Sequence, residues 1–236
     1  MHYAIIAAGQ GSRLATEGSP LPKPLVELNG QPLIERLLQL FLANGAQSVS
    51  VIINEEMPLV RHYLEQMNYP VPLHIHVQST PDSLHSFYAL MPYLRGCGKF
   101  CLTTVDPVFP EQEFASYIHA FEVDRAHDAL MAVTDYIDDE KPLYVETDAD
   151  LCVTAYRNEV YPNARYISGG IYCMNERVFP LLEEAIGAGM SRMRNFQRRM
   201  VESGLQVHAY PFTKIIDVDH LSDVAKAEQL LKETNE

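Results

Sequence analysis

The sequence predicts an α/β fold, a Rossmann-like three-layer sandwich in which helices cover both faces of a mixed, mostly parallel β-sheet. Short, apolar, β-branched runs of strand length alternate with longer amphipathic stretches from the amino terminus onward. This order is typical of βαβ units and a parallel sheet. The alternation breaks near residue 135, where two β segments flank an Asp-rich turn, so a small inserted β-hairpin is expected there.

Each element follows from a local pattern. The first strand is continuously apolar and ends in glycine, which is typical of a buried strand, and the first long helix carries leucines on one face and stops at Asn44-Gly45. Strands are predicted at 3–8, 49–53, 73–77, 99–105, 129–134, 143–146, 151–156, 167–174, 206–210 and 214–218. Helices are predicted from about 33 to 43 and at 58–67, 83–94, 111–123, 176–188, 191–203 and 221–232. With 236 residues and no repeat or linker, a single domain over 1–236 is expected.

Composition excludes several classes of function. The net charge is −13, and the local basic cluster is short, so nucleic acid is not expected as a partner. That cluster consists of Arg192, Arg194, Arg198 and Arg199. No apolar run reaches the roughly 18 residues that span a bilayer. With no secretory signal pattern and 4 cysteines, we expect a reduced, cytoplasmic protein that does not bind membranes.

Cysteine and histidine do not form a metal motif along the chain. Cys97 and Cys101 lack a second pair at zinc spacing, which favours structural thiols. His74 and His76 could share one face of a strand, but no third ligand lies near them in the sequence. A histidine metal site is therefore not expected.

A glycine-rich loop follows the first strand. Gly9-Gln-Gly11-Ser-Arg13 precedes Pro22-Lys23-Pro24, and the spacing fits neither the dinucleotide fingerprint nor the P-loop. Glycines allow backbone N–H groups to approach an anion, and Arg13 and Lys23 add positive charge for a polyphosphate. The alternative, a plain turn with two solvated cations, stays open on spacing alone.

The segments AAGQGSRL and PKPLVELNGQPLIERLL resemble the amino-terminal signature of the nucleotidyltransferases that join a nucleoside triphosphate to a sugar 1-phosphate or a similar phosphate monoester. The resemblance implies that Ala7, Ala8 and Gly9 lie against the base and ribose. It also implies that Gly11 and Arg13 hold the triphosphate and that Lys23 neutralises the α-phosphate region, so that Arg13 and Lys23 are the expected catalytic cations.

The segment after the third predicted strand continues this resemblance. Gln78 stands where the family carries a base-reading glutamine, and an amide offers both a donor and an acceptor. Ser83 stands where the family has glycine, and its backbone N–H would contact the base. The alternative for Gln78 is a polar residue at a strand end.

Carboxylates at two strand ends suggest a metal site. Asp106 ends an apolar strand, where a carboxylate is costly unless it is paired or bound to metal. The resemblance implies that Asp106 and Asp217 bind Mg²⁺, an ion that prefers carboxylates, phosphate oxygens and water. Asp219 stands where many relatives have glycine, and is either a third ligand or an outer group; alternatively, it caps the terminal helix.

The acceptor half departs from the family. The glycine pair Gly169-Gly170 resembles the segment that lines the acceptor pocket, but residues 135–165 lack the family's Glu-Lys-Pro motif. Arg157, Lys141 or Arg165 could supply the missing cation, or each could be a solvated surface charge. The nucleotide-binding part is then about 1–125, and the acceptor-binding part is about 126–236.

The expected function is Mg²⁺-dependent transfer of a nucleoside monophosphate from an NTP to a small phosphate monoester, with release of pyrophosphate. A sugar 1-phosphate is the first choice of acceptor, as in NDP-sugar biosynthesis. A cytidylyltransferase acting on a phosphate such as phosphocholine stays open, as does a catalytically weak nucleotide-binding or regulatory protein with the same fold. Dimers are common in such families, and the oligomeric state, with a homo-oligomer as one alternative, stays open.

Overall fold

The computed structural model describes residues 1–234 and contains a nine-stranded mixed sheet with helices on both faces. In chain order the elements are β1 (His2–Ala7), α1 (Ser12–Thr16), β2 (Glu27–Leu28), β3 (Gln31–Pro32), α2 (Leu33–Ala43), β4 (Ser48–Ile53), α3 (Pro58–Glu65), β5 (Leu73–Val77), α4 (Ser83–Leu94), β6 (Lys99–Thr104), β7 (Pro107–Val108), α5 (Glu111–Val123), β8 (Ala129–Thr134), β9 (Tyr144–Thr147), β10 (Val153–Arg157), β11 (Tyr166–Asn175), α6 (Val178–Gly187), α7 (Met193–Glu202), β12 (Val207–Phe212), β13 (Ile216–Asp217) and α8 (Leu221–Glu233). A 3₁₀ turn covers Lys23–Leu25. Within the described range, no helix has the length and apolar character needed to cross a membrane.

The sheet confirms the predicted mixed topology. β5, β4, β1 and β6 lie side by side and run parallel. β11 runs antiparallel to both β6 and β8, and β12 pairs with β8 in parallel. The carboxyl ends of β1 and β6 therefore meet at one edge, where ligands bind in open α/β sheets.

Alternating side chains of β1 show why three layers form. Tyr3 and Ile5 belong to one apolar cluster, whereas Ala4 and Ile6 belong to another. Successive strand residues point to opposite faces, so a continuously apolar strand must be covered on both sides. Helices α2, α3, α5 and α8 cover the first face, and α4, α6 and α7 cover the second.

The predicted hairpin is present as β9 and β10, which pair antiparallel. β9 pairs with the first residues of β11, and the later residues of β11 pair with β6. The turn between β9 and β10 reaches the outer edge of β12, where Cys152 forms an isolated bridge to His208. The insertion therefore extends the sheet and also covers part of an edge strand.

Two segments differ from the sequence prediction. The predicted strand 214–218 is reduced to the two residues of β13, because Ile215 and Val218 are buried by packing in the apolar core rather than by strand pairing. The loop 9–23 contains the short helix α1. β13 pairs with β7 so that Asp217 lies opposite Pro107, which brings the segment of Asp217 beside Asp106.

Candidate functional site

A cavity of about 710 Å³ opens at the sheet edge where β1 and β6 end. It lies between the glycine-rich loop, the amino-terminal end of α4 and the loop before α8. The predicted site residues that line it are Ala8, Gly9, Gly11, Arg13, Lys23, Ser83, Asp106 and Asp219. The fold therefore brings the loop and the strand-end carboxylates to a common cavity.

Gly11 allows the two halves of the glycine-rich loop to pack together. Its φ is 59°, in the left-handed region, and a β-carbon there would lie 2.8 Å from Cβ of Lys23. Both the backbone conformation and the close approach favour glycine. The absence of a side chain at Gly11 thus lets Lys23 enter the floor of the cavity.

Lys23 is the central cation of the site. Its ammonium donates to Oδ2 of Asp106 and to Oδ1 of Asp219, each at 2.6 Å, and the residue is 8% exposed. Burial lowers the pKa of Lys23, but the two carboxylates outweigh this effect and raise it above its ordinary value. The lysine is therefore charged at neutral pH, held at the junction of three chain segments.

Arg13 lies at the rim of the same cluster. Its guanidinium donates to Oδ2 of Asp219 at 2.6 Å and lies 3.5 Å from a carboxylate oxygen of Glu140. Both carboxylate oxygens of Asp219 thus contact cations, one from Arg13 and one from Lys23. Asp219 positions the two predicted phosphate-binding cations relative to each other.

Asp106 and Asp217 offer oxygen ligands for a divalent metal. Oδ1 of Asp106 is buried and has no hydrogen-bond partner among the described residues. Burial would raise the pKa of Asp106, but Lys23 holds it below its ordinary value. Asp217 is exposed to solvent, yet partial loss of hydration at its carboxyl group, together with the charge of Asp106, raises its pKa. A cation between these carboxylates would satisfy the unpartnered oxygen and relieve the repulsion, so the residues fit a hard divalent ion.

Asp219 is less available as a metal ligand than Asp106 and Asp217. Within residues 1–234, the carboxylates of Asp106, Asp217 and Asp219 do not form a compact three-ligand group. The contacts of Asp219 with Arg13 and Lys23 favour the outer position that the sequence left open.

The amino-terminal end of α4 forms the opposite wall. Asp82 caps the helix by accepting from the N–H groups of Leu84 and His85, at 2.8 and 3.3 Å. The Ser83 hydroxyl accepts from the N–H of Met193 at 3.1 Å, so this side chain ties α4 to α7. Its engagement with α7 explains how a serine is accommodated where the resemblance predicts glycine.

Sequence reasoning missed Asn54, which follows β4. Its amide donates to the carbonyl of Ala8 at 3.3 Å, and its side-chain oxygen accepts from the Ser79 hydroxyl at 2.9 Å. The residue is 6% exposed and lines the cavity. A polar residue directly after a buried strand was the available signal, and the structure shows it joining three segments of the cavity wall.

Two predicted nucleotide contacts lie outside the lining. Ala7 is buried in the apolar core beneath the sheet edge. Gln78 is exposed, and its side-chain oxygen lies 2.8 Å from Nε2 of His76. Ser79 and Thr80, the residues that follow Gln78, line the cavity instead.

Two further cavities lie near residues that the sequence predicts to bind the acceptor. A cavity of about 180 Å³ is lined by Gly169, Asp217, Asp219 and Arg13. A β-carbon at Gly169 would meet Cδ1 of Ile215, so the end of the Ile215 side chain would have to shift to admit a larger residue. Gly170 has a φ of 73° and lies over Thr104 and Pro107, at an irregularity in the β11–β8 pairing.

The third cavity holds most of the nearby positive charge. It measures about 900 Å³, and its lining includes Lys141, Arg192 and Arg194. Arg157 pairs with Glu146 at 2.6 Å and lines none of the three cavities described. The basic cluster at the start of α7 therefore supplies cations beside the site.

The third cavity adjoins the first through α7. The N–H of Arg192 donates to Asp82 at 2.9 Å, and Arg194 donates to the carbonyl of Lys141 at 3.1 Å. Burial and the nearby carboxylates of Asp217 and Asp106 raise the pKa of Tyr172, whereas Arg194 acts in the opposite direction. The hydrogen bond between Arg192 and Asp82 therefore links the lining of the third cavity to that of the first.

Comparison with known proteins finds nucleotidyltransferases among the relatives of this chain. The chain is 22% identical over 245 residues to the UTP–glucose-1-phosphate uridylyltransferase AglF of Haloferax volcanii, covering 99% of this chain and 97% of that protein. It is 39% identical over 49 residues to the 2-aminoethylphosphonate cytidylyltransferase of Lancefieldella rimae, covering 21% of this chain and 20% of that protein. The matched segment spans only 20% of the length of this cytidylyltransferase and 14% of the length of another curated relative.

A solved structure shares the whole fold. The inositol-1-phosphate CTP transferase from T. maritima superposes with a TM-score of 0.82 at 20% identity, covering 100% of this chain and 96% of that one. The model of the MobA-like NTP transferase domain matches residues 3–203. The match takes in the glycine-rich loop, Lys23 and Asp106, and the chain belongs to this nucleotidyltransferase family.

Proposed function

We propose that the protein transfers a nucleoside monophosphate from an NTP to a small phosphate monoester and releases pyrophosphate. The observation that carries the proposal is the ion cluster of Lys23, Asp106 and Asp219, with Arg13 at its rim, in the cavity at the carboxyl edge of the sheet. Family membership supports the same chemistry.

Binding of the triphosphate would use the glycine-rich loop. Backbone N–H groups near Gly9 and Gly11 can approach phosphate oxygens closely, and Arg13 and Lys23 supply positive charge. The base and ribose would occupy the part of the cavity toward Ala8, Asn54 and Ser83.

The proposed reaction is an in-line displacement at the α-phosphorus. An oxygen of the acceptor phosphate forms a bond to that phosphorus, and the bond to the oxygen bridging the α- and β-phosphates breaks. The bonding electrons leave with pyrophosphate, so no protein nucleophile is needed. Lys23 neutralises the charge that develops on the α-phosphate, and the effect is large because the site is partly buried.

A divalent ion generally accompanies this family's chemistry, and we propose Mg²⁺ held by Asp106 and Asp217. When bound, it would neutralise phosphate charge and orient the phosphate oxygens. Asp219 would keep Arg13 and Lys23 aligned through its two carboxylate oxygens. The unpartnered oxygen of Asp106 supports this division of roles.

The acceptor would bind between Gly169-Gly170 and α7. We propose a sugar 1-phosphate or a related polyol phosphate, because the relatives that align over nearly the whole chain carry such substrates in their names. Arg194 and Lys141 are among the cations that line the third cavity, and this supports them as partners of the acceptor phosphate. Arg157 is a poorer candidate for this role because it pairs with Glu146 on the hairpin.

The test is pyrophosphate release from a matrix of the four NTPs and a panel of acceptors, with Mg²⁺ and with EDTA. The panel contains glucose 1-phosphate, inositol 1-phosphate, phosphocholine and 2-aminoethylphosphonate. We expect turnover with one NTP and one acceptor class, lost in EDTA and restored by Mg²⁺. Nucleotide binding without turnover for any pair contradicts the proposal and favours a regulatory nucleotide-binding protein.

A further inference from the structure

Two histidines and a cysteine meet at the edge of the sheet opposite the proposed active site. His127 lies two residues before the start of β8, His208 is the second residue of β12, and Cys152 lies between the hairpin turn and β10. Each residue offers one ligand atom, and these atoms lie within 4.8 Å of one another. β8 and β12 are parallel, with His208 opposite Leu130, so both histidines lie at amino-terminal strand ends.

Backbone contacts hold the cysteine against β12. Cys152 forms an isolated bridge to His208, and the N–H of Ala209 donates to the carbonyl of Leu151 at 2.9 Å. The N–H of Cys152 in turn donates to Oδ1 of Asp148 at 2.9 Å. The thiol is free, and its sulfur lies 4.0 Å from Nδ1 of His208. Three separate chain segments therefore place their ligand atoms close together.

A carboxylate orients the remaining ligand. Oδ2 of Asp124 lies 2.6 Å from Nδ1 of His127, while Oδ1 of Asp124 accepts from the backbone N–H groups of Ala126 and His127. The imidazole is thereby anchored through Nδ1, which leaves Nε2 free as a ligand. A carboxylate bound to the second nitrogen of a histidine is the usual support for a histidine that binds metal.

The geometry points to a Zn²⁺ site made by His127, Cys152 and His208, with a water molecule as the fourth ligand. Zn²⁺ accepts imidazole and thiolate in tetrahedral geometry, whereas Mg²⁺ requires oxygen ligands. Ordinary Zn–S and Zn–N bond lengths place sulfur and nitrogen roughly 3.6 Å apart in a tetrahedral site, so the 4.0 Å between Sγ of Cys152 and Nδ1 of His208 needs a small closure. The ligand atom of His127, within 4.8 Å of the other two, moves in with them. Cys152 binds as thiolate, and its proton leaves to solvent as the Zn–S bond forms.

The site has a structural consequence for the acceptor half. It joins the hairpin turn to β12 and to the start of β8, and β12 is paired along its other edge with β8. The ligands assemble only in the folded chain, so Zn²⁺ binding stabilises the native state. The ion therefore fastens the inserted hairpin to the main sheet, away from the cavity that holds Lys23.

Cobalt is the most direct probe because Co²⁺ bound to thiolate gives a charge-transfer absorption band that oxygen and nitrogen ligands alone do not give. The full chain, stripped with EDTA and kept reduced, is titrated with Co²⁺ in excess Mg²⁺ so that the carboxylates of the active site are occupied. We expect one equivalent of Co²⁺ to produce the band and Zn²⁺ to abolish it.

Matched variants decide whether the named residues form the site. Cys152→Ser removes the band, and Cys97→Ser, at another free and half-buried cysteine, retains it. Asp124→Asn keeps the band but weakens Zn²⁺ affinity by about 10- to 100-fold. The proposal is overturned if the native chain gives no band, if Cys152→Ser keeps it, or if Cys97→Ser loses it.

Thermal unfolding supplies a second readout that does not depend on nucleotidyl transfer. Zn²⁺ should raise the Tm of the native chain, of Cys97→Ser and of Asp106→Asn, but not of Cys152→Ser or His208→Gln. An equal rise in the Tm of Cys152→Ser and of the native chain overturns the site.

Discussion

The half of the molecule that we propose binds the nucleotide and the half that we propose binds the acceptor are built differently; they are called the nucleotide half and the acceptor half below. The nucleotide half draws its cations from a single loop, Gly9 to Lys23, and the parallel strands bring a carboxylate to meet them. The acceptor half combines the kinked β11, the hairpin and α7, which are separate in sequence. All such enzymes bind a triphosphate, whereas the acceptor differs from one enzyme to another. The triphosphate, which does not vary, is thus the ligand proposed for the loop whose cations are close together in the sequence.

The first way to break this comparison is to remove the carboxylate beneath Lys23. Asp106→Asn should lower kcat/KM by about 10³-fold, since loss of metal binding and charge organisation costs several kcal/mol in the transition state. Asp219→Asn, which keeps Asp106 and Asp217, should lower it by about 10-fold. Steady-state pyrophosphate release measures both, and a larger loss in Asp219→Asn than in Asp106→Asn contradicts the assignment of roles.

The glycine loop can be tested through its packing. Gly11→Ala places a β-carbon 2.8 Å from Cβ of Lys23 at a φ of 59°, and should lower the free energy of unfolding by about 1–3 kcal/mol. Gly9→Ala is the control because no heavy atom lies within 4 Å of its β-carbon. Denaturant unfolding compares the two, and equal stability shows that the loop repacks without cost.

Replacing one arginine at a time with alanine tests which cation of the acceptor half binds the acceptor phosphate. Arg194→Ala should raise the acceptor KM by about tenfold, as expected for the loss of a hydrogen bond to a charged group, and should leave the NTP KM unchanged. Arg157→Ala should change neither constant, because Arg157 pairs with Glu146. The reverse result would assign the acceptor phosphate to the hairpin.

The smallest effect concerns the contact between α1 and α8. Nδ1 of His220 lies 2.5 Å from Oε1 of Glu17; this hydrogen bond raises the pKa of His220 above 6.5 and lowers that of Glu17 below 4.5. Because the pKa of His220 is raised in the folded state, its contribution to stability is fully present below the unfolded-state pKa. That contribution is lost as pH rises through the folded-state pKa. Because the pKa of Glu17 is lowered in the folded state, its contribution to stability is fully present above the unfolded-state pKa. That contribution is lost as pH falls through the folded-state pKa.

The His220–Glu17 pair should therefore contribute most to stability between pH 4.5 and pH 6.5, the ordinary pKa values of the two groups. His220→Gln should reduce stability at about pH 5.5 more than at about pH 8.5. Urea midpoints at the two pH values measure the difference. An equal shift at both shows that the charge of His220 does not matter.

Much of the fold could be predicted because it is encoded locally. The apolar strand before Gly9, the amphipathic helix that ends at Asn44 and the break near residue 135 each depend on neighbours in the chain, and the structure confirms all three. The predicted strand at 214–218 was too long because its apolar residues pack into the core without pairing. A hydrophobic pattern reports burial and does not distinguish these two ways of reaching it.

The sequence by itself determined the family signature, the order of the elements and the residue types at the strand ends. Only the tertiary structure decided which side chains meet: Lys23 contacts Asp106 and Asp219, which are 83 and 196 residues away. It also brought together His127, Cys152 and His208, which no spacing in the sequence relates. The physical reason is that strand order and register set such contacts, and both depend on how the whole apolar core packs.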